Sequence, residues 1–164
     1  MSAIADFNVR DIEQGTETWL TPPWITKPLG DFDLDPCGHP DWPIAQEHFV
    51  WPENDGLMLP WRGRVFCNKP YGTQDDAWTE RMANHRNGYL LLFARTDTQR
   101  FRRIWQTADS MFFFEGRIKF FRDDGSEGEP APAPSVLIAF GKENSDLLSS
   151  VSWAGSLVTT WRAQ

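Results

Sequence analysis

The sequence predicts one α/β domain on a mostly parallel sheet, with an antiparallel strand pair near its C-terminal end. Three observations carry this expectation. From residue 64 onward, short apolar runs alternate with segments of helical periodicity, the pattern of consecutive strand-helix-strand units. One run, Tyr89 to Ala94, is apolar throughout, as a strand covered on both faces must be. The chain has 164 residues, 40% hydrophobic and 24% charged, which suits one core and is short for two domains.

Taken in order, residues 1–16 are polar and aperiodic and read as a flexible N-terminal segment, leaving 17–164 as the single domain. Thr21 can cap a short helix that Pro22 opens and that Pro28 and Gly30 stop. Phe32 to Leu34 reads as a short buried strand ending at Asp35-Pro36. The Pro- and Trp-rich stretch around Ile44 to Phe49 is expected to be irregular, and the distance from Asp35 to Asn68 leaves room for one excursion and one strand. Val65 to Cys67 is a strand; Thr73 to Asp76 starts a helix through Asn87 with Trp78, Met82 and His85 on one face, closed by Gly88. Thr96 caps a second helix that turns Phe101, Ile104 and Trp105 inward. Met111 to Glu115, Ile118 to Arg122 and Ser135 to Phe140 are further strands, the last two flanking a Gly-, Pro- and acid-rich loop, 123–134, expected to move. A helix from Asn144 and an edge strand over Leu157 to Trp161 complete the chain.

The net charge of −7 argues against a polyanion partner until its distribution is seen. Residues 81–122 hold nine basic and three acidic residues, a local charge of +6, which leaves −13 on the remainder. Such segregation suits a basic face that meets a polyanion, although solvated arginines on two helices have the same signature. The first twenty residues lack an apolar signal region and no run approaches a membrane span, so a cytoplasmic location without a membrane partner is expected. Cys37 and Cys67 then read as thiols. Their spacing from His39 and His48 fits no ordinary metal-ligand pattern, so no metal is expected.

The most informative segment is the strand that runs into Asn68-Lys69-Pro70-Tyr71. It sets an amide, a rigid turn and an aromatic ring around one small volume at a strand's carboxyl end, where open α/β sheets bind ligands. An extruded adenine needs those groups: acceptors for its exocyclic amine and a π face to stack on. An ordinary turn uses the same residue types. Asp33 and Asp35 straddle another strand end, where successive side chains face opposite ways, so one can enter a cleft while the other braces.

These segments, in the order Thr18-Trp19-Leu20-Thr21-Pro22-Pro23-Trp24, Gly30-Asp31-Phe32-Asp33-Leu34-Asp35-Pro36-Cys37, Asn68-Lys69-Pro70-Tyr71, Ala94-Arg95-Thr96-Asp97-Thr98 and Gly116-Arg117-Ile118-Lys119-Phe120, resemble the phage-type DNA N-6-adenine methyltransferases, the Dam-type family. The resemblance spans roughly residues 17 to 141. It implies a compact, shortened class I methyltransferase-like, Rossmann-like sheet, S-adenosylmethionine as methyl donor, and adenine-containing DNA as partner, in a host bacterial cytoplasm if phage-encoded. Asn68, Lys69, Pro70 and Tyr71 would then be catalytic, and Thr21, Pro22, Asp33, Asp35, Pro36 and Cys37 would serve the cofactor. Arg95, Arg100, Arg103, Arg117 and Lys119 would meet DNA. Lys69 stands where the family usually has a proline, which loosens the turn but keeps its main-chain oxygen, and a lysine at the pocket mouth could hold a phosphate or repel the donor's sulfonium. Two rivals remain: a family member that binds without turnover, and a metal-dependent nuclease using Asp33, Asp35 and Glu47.

Overall fold

Alternate residues of the central strands divide between two cores, and this division fixes the architecture. The computed structural model describes residues 19–70 and 75–161. Their elements are helix α1 (Pro23–Thr26), a 3-10 turn (Lys27–Leu29), β1 (Leu34–Asp35), β2 (Glu47–His48), β3 (Val65–Asn68), α2 (Asp75–His85), β4 (Gly88–Phe93), α3 (Gln99–Thr107), β5 (Ser110–Phe114), β6 (Lys119–Phe121), β7 (Glu127–Pro130), β8 (Ser135–Phe140), α4 (Lys142–Leu148) and β9 (Gly155–Val158). One face of the sheet sends Val65, Cys67, Leu90, Leu92 and Ile138 against Trp78, Met82, Phe101 and Ile104 of α2 and α3. The other sends Phe66, Tyr89, Leu91 and Leu137 against Ile25, Leu29, Ile118 and Phe120. Each fully buried leucine contributes about 1.5–3 kcal/mol, so the middle of β4, where Leu90, Leu91 and Leu92 have no exposed surface, anchors both layers.

Seven strands form one sheet in the order β2-β1-β3-β4-β8-β5-β9. β1 pairs in parallel with β2 and β3, and β3 with β4; β8 and β9 pair antiparallel with their neighbours. Five strands therefore run one way, and the two that oppose them lie late in the chain, as the sequence predicts. Gly88 begins β4 pressed against β3: its φ is +149°, and a Cβ there would lie 2.0 Å from the Val65 carbonyl oxygen.

Several local expectations change. α1 starts at Pro23 with Pro22 at its cap, because the Thr21 hydroxyl accepts a hydrogen bond from Asn68 instead. Thr98, not Thr96, caps α3: its Oγ1 accepts from the Phe101 N–H while donating to the Arg95 carbonyl, so the Ala94–Thr98 turn finishes before the helix begins. The 123–134 loop is not wholly irregular. Its centre forms β7, which pairs antiparallel with β6 in a separate ribbon, and Gly128 permits this because a Cβ there would lie 2.7 Å from the Phe120 carbonyl oxygen. The tail helix and edge strand are present but begin earlier than the pattern suggests, at Lys142 and Gly155. The expected N-terminal segment lies outside the described residues.

Candidate active site

The chain leaves β1 for β2 on one side and returns to place β3 on the other, so the order reverses between β1 and β3. At such a switch point the loops leaving neighbouring strands diverge and open a crevice at their carboxyl ends. Asp35 ends β1 and Asn68 ends β3.

Asn68 is held from behind. Its Nδ2 donates to the Trp19 carbonyl at 3.0 Å and to Thr21 Oγ1 at 3.1 Å. A carbonyl can only accept, so these contacts fix which end of the amide is nitrogen. The Oδ1 that faces the other way is buried and has no hydrogen-bond partner among the described residues. An orphaned buried acceptor costs about 1–3 kcal/mol unless a ligand supplies the donor. The backing segment is itself fixed: Leu20 and Phe121 exchange hydrogen bonds of 2.9 and 3.0 Å, and Trp42 Nε1 donates to the Thr21 carbonyl at 2.9 Å. Thr21 thus acts on Asn68, while the neighbouring Pro22 is buried beside it.

Asp35 is 5% exposed, and its Oδ1 accepts the Cys37 N–H at 3.0 Å. Burial pushes its carboxyl up to about 7, against the smaller opposing pull of that hydrogen bond. Asp33 faces elsewhere. Its Oδ2 accepts the Arg64 N–H at 2.7 Å, on the turn that enters β3, so it braces the sheet at the end opposite the crevice. Pro36 is buried, and Gly56 passes so close that a Cβ would lie 2.0 Å from the Pro36 carbonyl oxygen. Cys37 Sγ sits 3.7 Å from Cys67 Sγ. Burial of the sulfur, then the Cys67 thiol, raises Cys37 well above the usual value, so it is a thiol and not a nucleophile.

Lys69 is 2% exposed. It points into the protein from the turn, with Nζ at 3.5 Å from the Pro70 carbonyl, and does not stand at a pocket mouth. A four-carbon stem fills interior space that a proline ring would not. Pro70 is exposed, and Tyr71 lies outside the described residues.

The family model described as DNA N-6-adenine-methyltransferase (Dam) matches residues 9–157. The protein belongs to the Dam family. No curated protein and no solved structure matches it.

Two features of this Dam family chain are not legible in sequence. Between α1 and the irregular crossover from β1 to β2 lies an open cleft of about 720 Å³, lined by Pro23, Thr26, Gly30, Phe32, Trp42 and Ala45. No local pattern singles these residues out, because the crossover's position depends on the Trp42 contact with Thr21. His48, at the carboxyl end of β2, has a buried Nδ1 without a partner among the described residues. A two-residue strand leaves no periodicity by which to find it.

The basic segment is less available than its charge suggests. Arg81 donates to the carbonyls of Leu57, at 2.5 Å, and Leu59. Arg86 faces Asp109 at 3.5 Å, Arg103 faces Glu80 at 3.9 Å and Lys119 faces Glu127 at 3.6 Å. Arg122 donates to the Glu127 carbonyl at 2.5 Å. Arg100 is half-buried on α3. Among the described residues, Arg95, Arg102 and Arg117 carry no ion pair. Arg95 follows β4 and Arg117 follows β5, so both lie at the carboxyl-terminal edge that carries Asn68. Arg102 is exposed on α3 and joins them as a cation that the sequence motifs do not mark.

Among the described residues no three His, Cys, Asp or Glu side chains are grouped as a metal ion would require, and no helix is long and apolar enough to cross a membrane. The carboxylates that a nuclease would use are dispersed: Asp33 braces Arg64, and Glu47 pairs with Arg62.

Proposed function

We propose that this Dam family protein methylates the N6 of an adenine extruded from DNA, with S-adenosylmethionine as donor, on a shortened class I methyltransferase-like sheet. The observation that carries the reading is the buried Oδ1 of Asn68 at the switch point, which has no hydrogen-bond partner among the described residues. An adenine amine supplies the donor that this oxygen lacks.

The N6 lone pair is delocalised into the purine and is a poor nucleophile. Accepting an N6 hydrogen on Asn68 Oδ1 returns charge to the nitrogen as it attacks, and the Trp19 and Thr21 contacts hold the amide in that pose at no reorganisation cost. The donor supplies an electrophilic methyl on sulfur; nitrogen takes the carbon, the carbon–sulfur bond breaks, and the amine sheds one proton to water. Asp35 suits a hydroxyl or ammonium of the donor, because a charge-assisted hydrogen bond restores stabilisation that burial has removed from its carboxylate. Pro36 and Cys37 shape the same strand end. Arg95, Arg102 and Arg117 are the cations best placed to meet phosphates; Arg100, Arg103 and Lys119 are secondary.

The test is incubation with labelled S-adenosylmethionine and adenine-containing DNA, followed by nucleoside analysis. Label in N6-methyladenine is expected, and its absence together with no calorimetric response to the donor removes this reading. One observation favours a binding module without turnover: a cation buried at position 69 in the catalytic turn. Lys69→Pro separates the two, since a large gain in methylation would identify the lysine as a lesion.

A further inference from the structure

α1 follows Thr21, and its first turn presents Trp24 beside Phe114, at the end of β5, and Trp153, just before β9. The Trp24 ring stands nearly perpendicular to Phe114 (5.8 Å, 83°) and to Trp153 (6.0 Å, 82°), while Phe114 and Trp153 lie within 35° of each other at 5.3 Å. Two roughly parallel rings with a third set across them make walls, not a closed stack. Trp153 Nε1 donates to the Trp24 carbonyl at 3.1 Å and fixes the corner. The result is a pocket of about 280 Å³, lined also by the buried Ile118 and with the exposed Glu115 and Arg117 on its rim. Trp24 remains 47% exposed, the state of a ring that has a wall but no lid.

The size admits one heterocycle and excludes a helix, whose diameter is about 10–12 Å. A flat π system is what three aromatic walls recognise. Arg117 has no ion pair among the described residues and can meet a phosphate, while the Glu115 carboxylate can accept from an exocyclic amine. The pocket lies at the carboxyl-terminal edge of the sheet, as Asn68 does, since β3 is parallel to β4, and β4 and β5 both run antiparallel to β8. Trp24 is three residues beyond Thr21, which touches Asn68, so the Cα atoms of Thr21 and Trp24 are at most about 11 Å apart. With about 3.4 Å per nucleotide along a stacked strand, that reach covers roughly two to four nucleotides.

We propose that the Trp24, Phe114 and Trp153 pocket, with Arg117 at its rim, is a second base-binding site that holds a non-target base of the bound DNA two to four nucleotides from the adenine at Asn68. This rests on the reading of the protein as a DNA methyltransferase. The pocket serves as an anchor, which sets where along the strand the target lies and takes no part in methyl transfer.

The experiment uses labelled DNA that the protein methylates, with a single abasic site moved one nucleotide at a time along it, and reads binding by anisotropy. At one position in that window, loss of the base is expected to weaken binding about five- to a hundredfold, the range for one stacked base. Trp24→Ala should bind intact DNA with that same loss and ignore the gap, Trp24→Phe should recover part of it, and Arg117→Ala, an exposed change that leaves the walls intact, should weaken binding to intact and gapped DNA alike. A flat abasic profile in a parent protein that methylates DNA overturns the pocket alone, as does a Trp24→Ala profile that keeps the parent's dip. A parent that methylates no DNA overturns both this inference and the reading beneath it.

Discussion

Replacing Asp35 by Asn should make the protein more stable at neutral and alkaline pH while weakening its hold on the methyl donor. The Asp35 carboxyl is 5% exposed and is raised from 3.8 to about 7 by burial. At 1.36 kcal/mol per unit, the native state binds this proton more tightly than the unfolded chain by about 4 kcal/mol. The sign follows from linkage: stability is fully present below pH 3.8 and is lost as pH rises through about 7, where the folded carboxyl finally ionises. About 2 to 3 kcal/mol of that loss falls between pH 5 and pH 8. The substituted amide would carry no charge at either pH and would keep the oxygen that accepts the Cys37 N–H, at the cost of an amide nitrogen needing a partner, about 1–3 kcal/mol. Urea unfolding of parent and Asp35→Asn at both pH values measures the difference directly. The variant's advantage should grow by about 2 to 3 kcal/mol from pH 5 to pH 8, and calorimetry at pH 8 should show weaker binding of S-adenosylmethionine. Parallel pH dependence in the two proteins would refute the burial argument, and unchanged donor affinity would take Asp35 out of the cofactor site.

Asn68→Ala should lower single-turnover methylation about a hundredfold or more with donor affinity preserved, because the amide acts on the base. Thr21→Val should reduce kcat and leave the donor dissociation constant in place, whereas Thr21→Ser, which keeps the hydroxyl that positions Asn68, should retain most activity. Arg95→Glu with Arg102→Glu should weaken DNA binding and reduce the slope of log affinity against log salt by about 2, with a smaller change for Arg103→Glu, which already faces Glu80. Gly88→Ala should cost more than about 3 kcal/mol in thermal or urea unfolding, since its Cβ has 2.0 Å to a backbone oxygen that cannot move aside.

What could be read in advance followed from periodicity and from strand ends. Tyr89 to Ala94 announced a doubly covered strand because every position was apolar, and β4 is that strand. The Asn68 segment announced itself by chemistry, and its Oδ1 is buried without a hydrogen-bond partner among the described residues. Legibility failed where a side chain's role is set by a distant partner. Thr21 looked like a helix cap and instead backs Asn68, 47 residues away. Lys69 looked like a residue of the pocket mouth because a charged side chain is rarely buried, yet the turn directs it inward. The local charge of 81–122 was correct as a sum, but Arg81 and Arg122 are spent on backbone carbonyls of other segments, and Arg86 faces Asp109 within its own. β7 was hidden because its pairing depends on one glycine passing a carbonyl, which no alternation records.

The pair of hydrogen bonds between Leu20 and Phe121 joins the segment behind Asn68 to the β6–β7 ribbon, which lies outside the main sheet. Linkage makes that tether work in both directions. Any force that peels the ribbon away loosens the segment that holds the Asn68 amide, and on the proposed reading a base seated on that amide would hold the ribbon down. Under the proposed function, amide exchange at Leu20 and Phe121 should therefore slow when a base is bound at Asn68, readable from the two backbone protons of the tether itself.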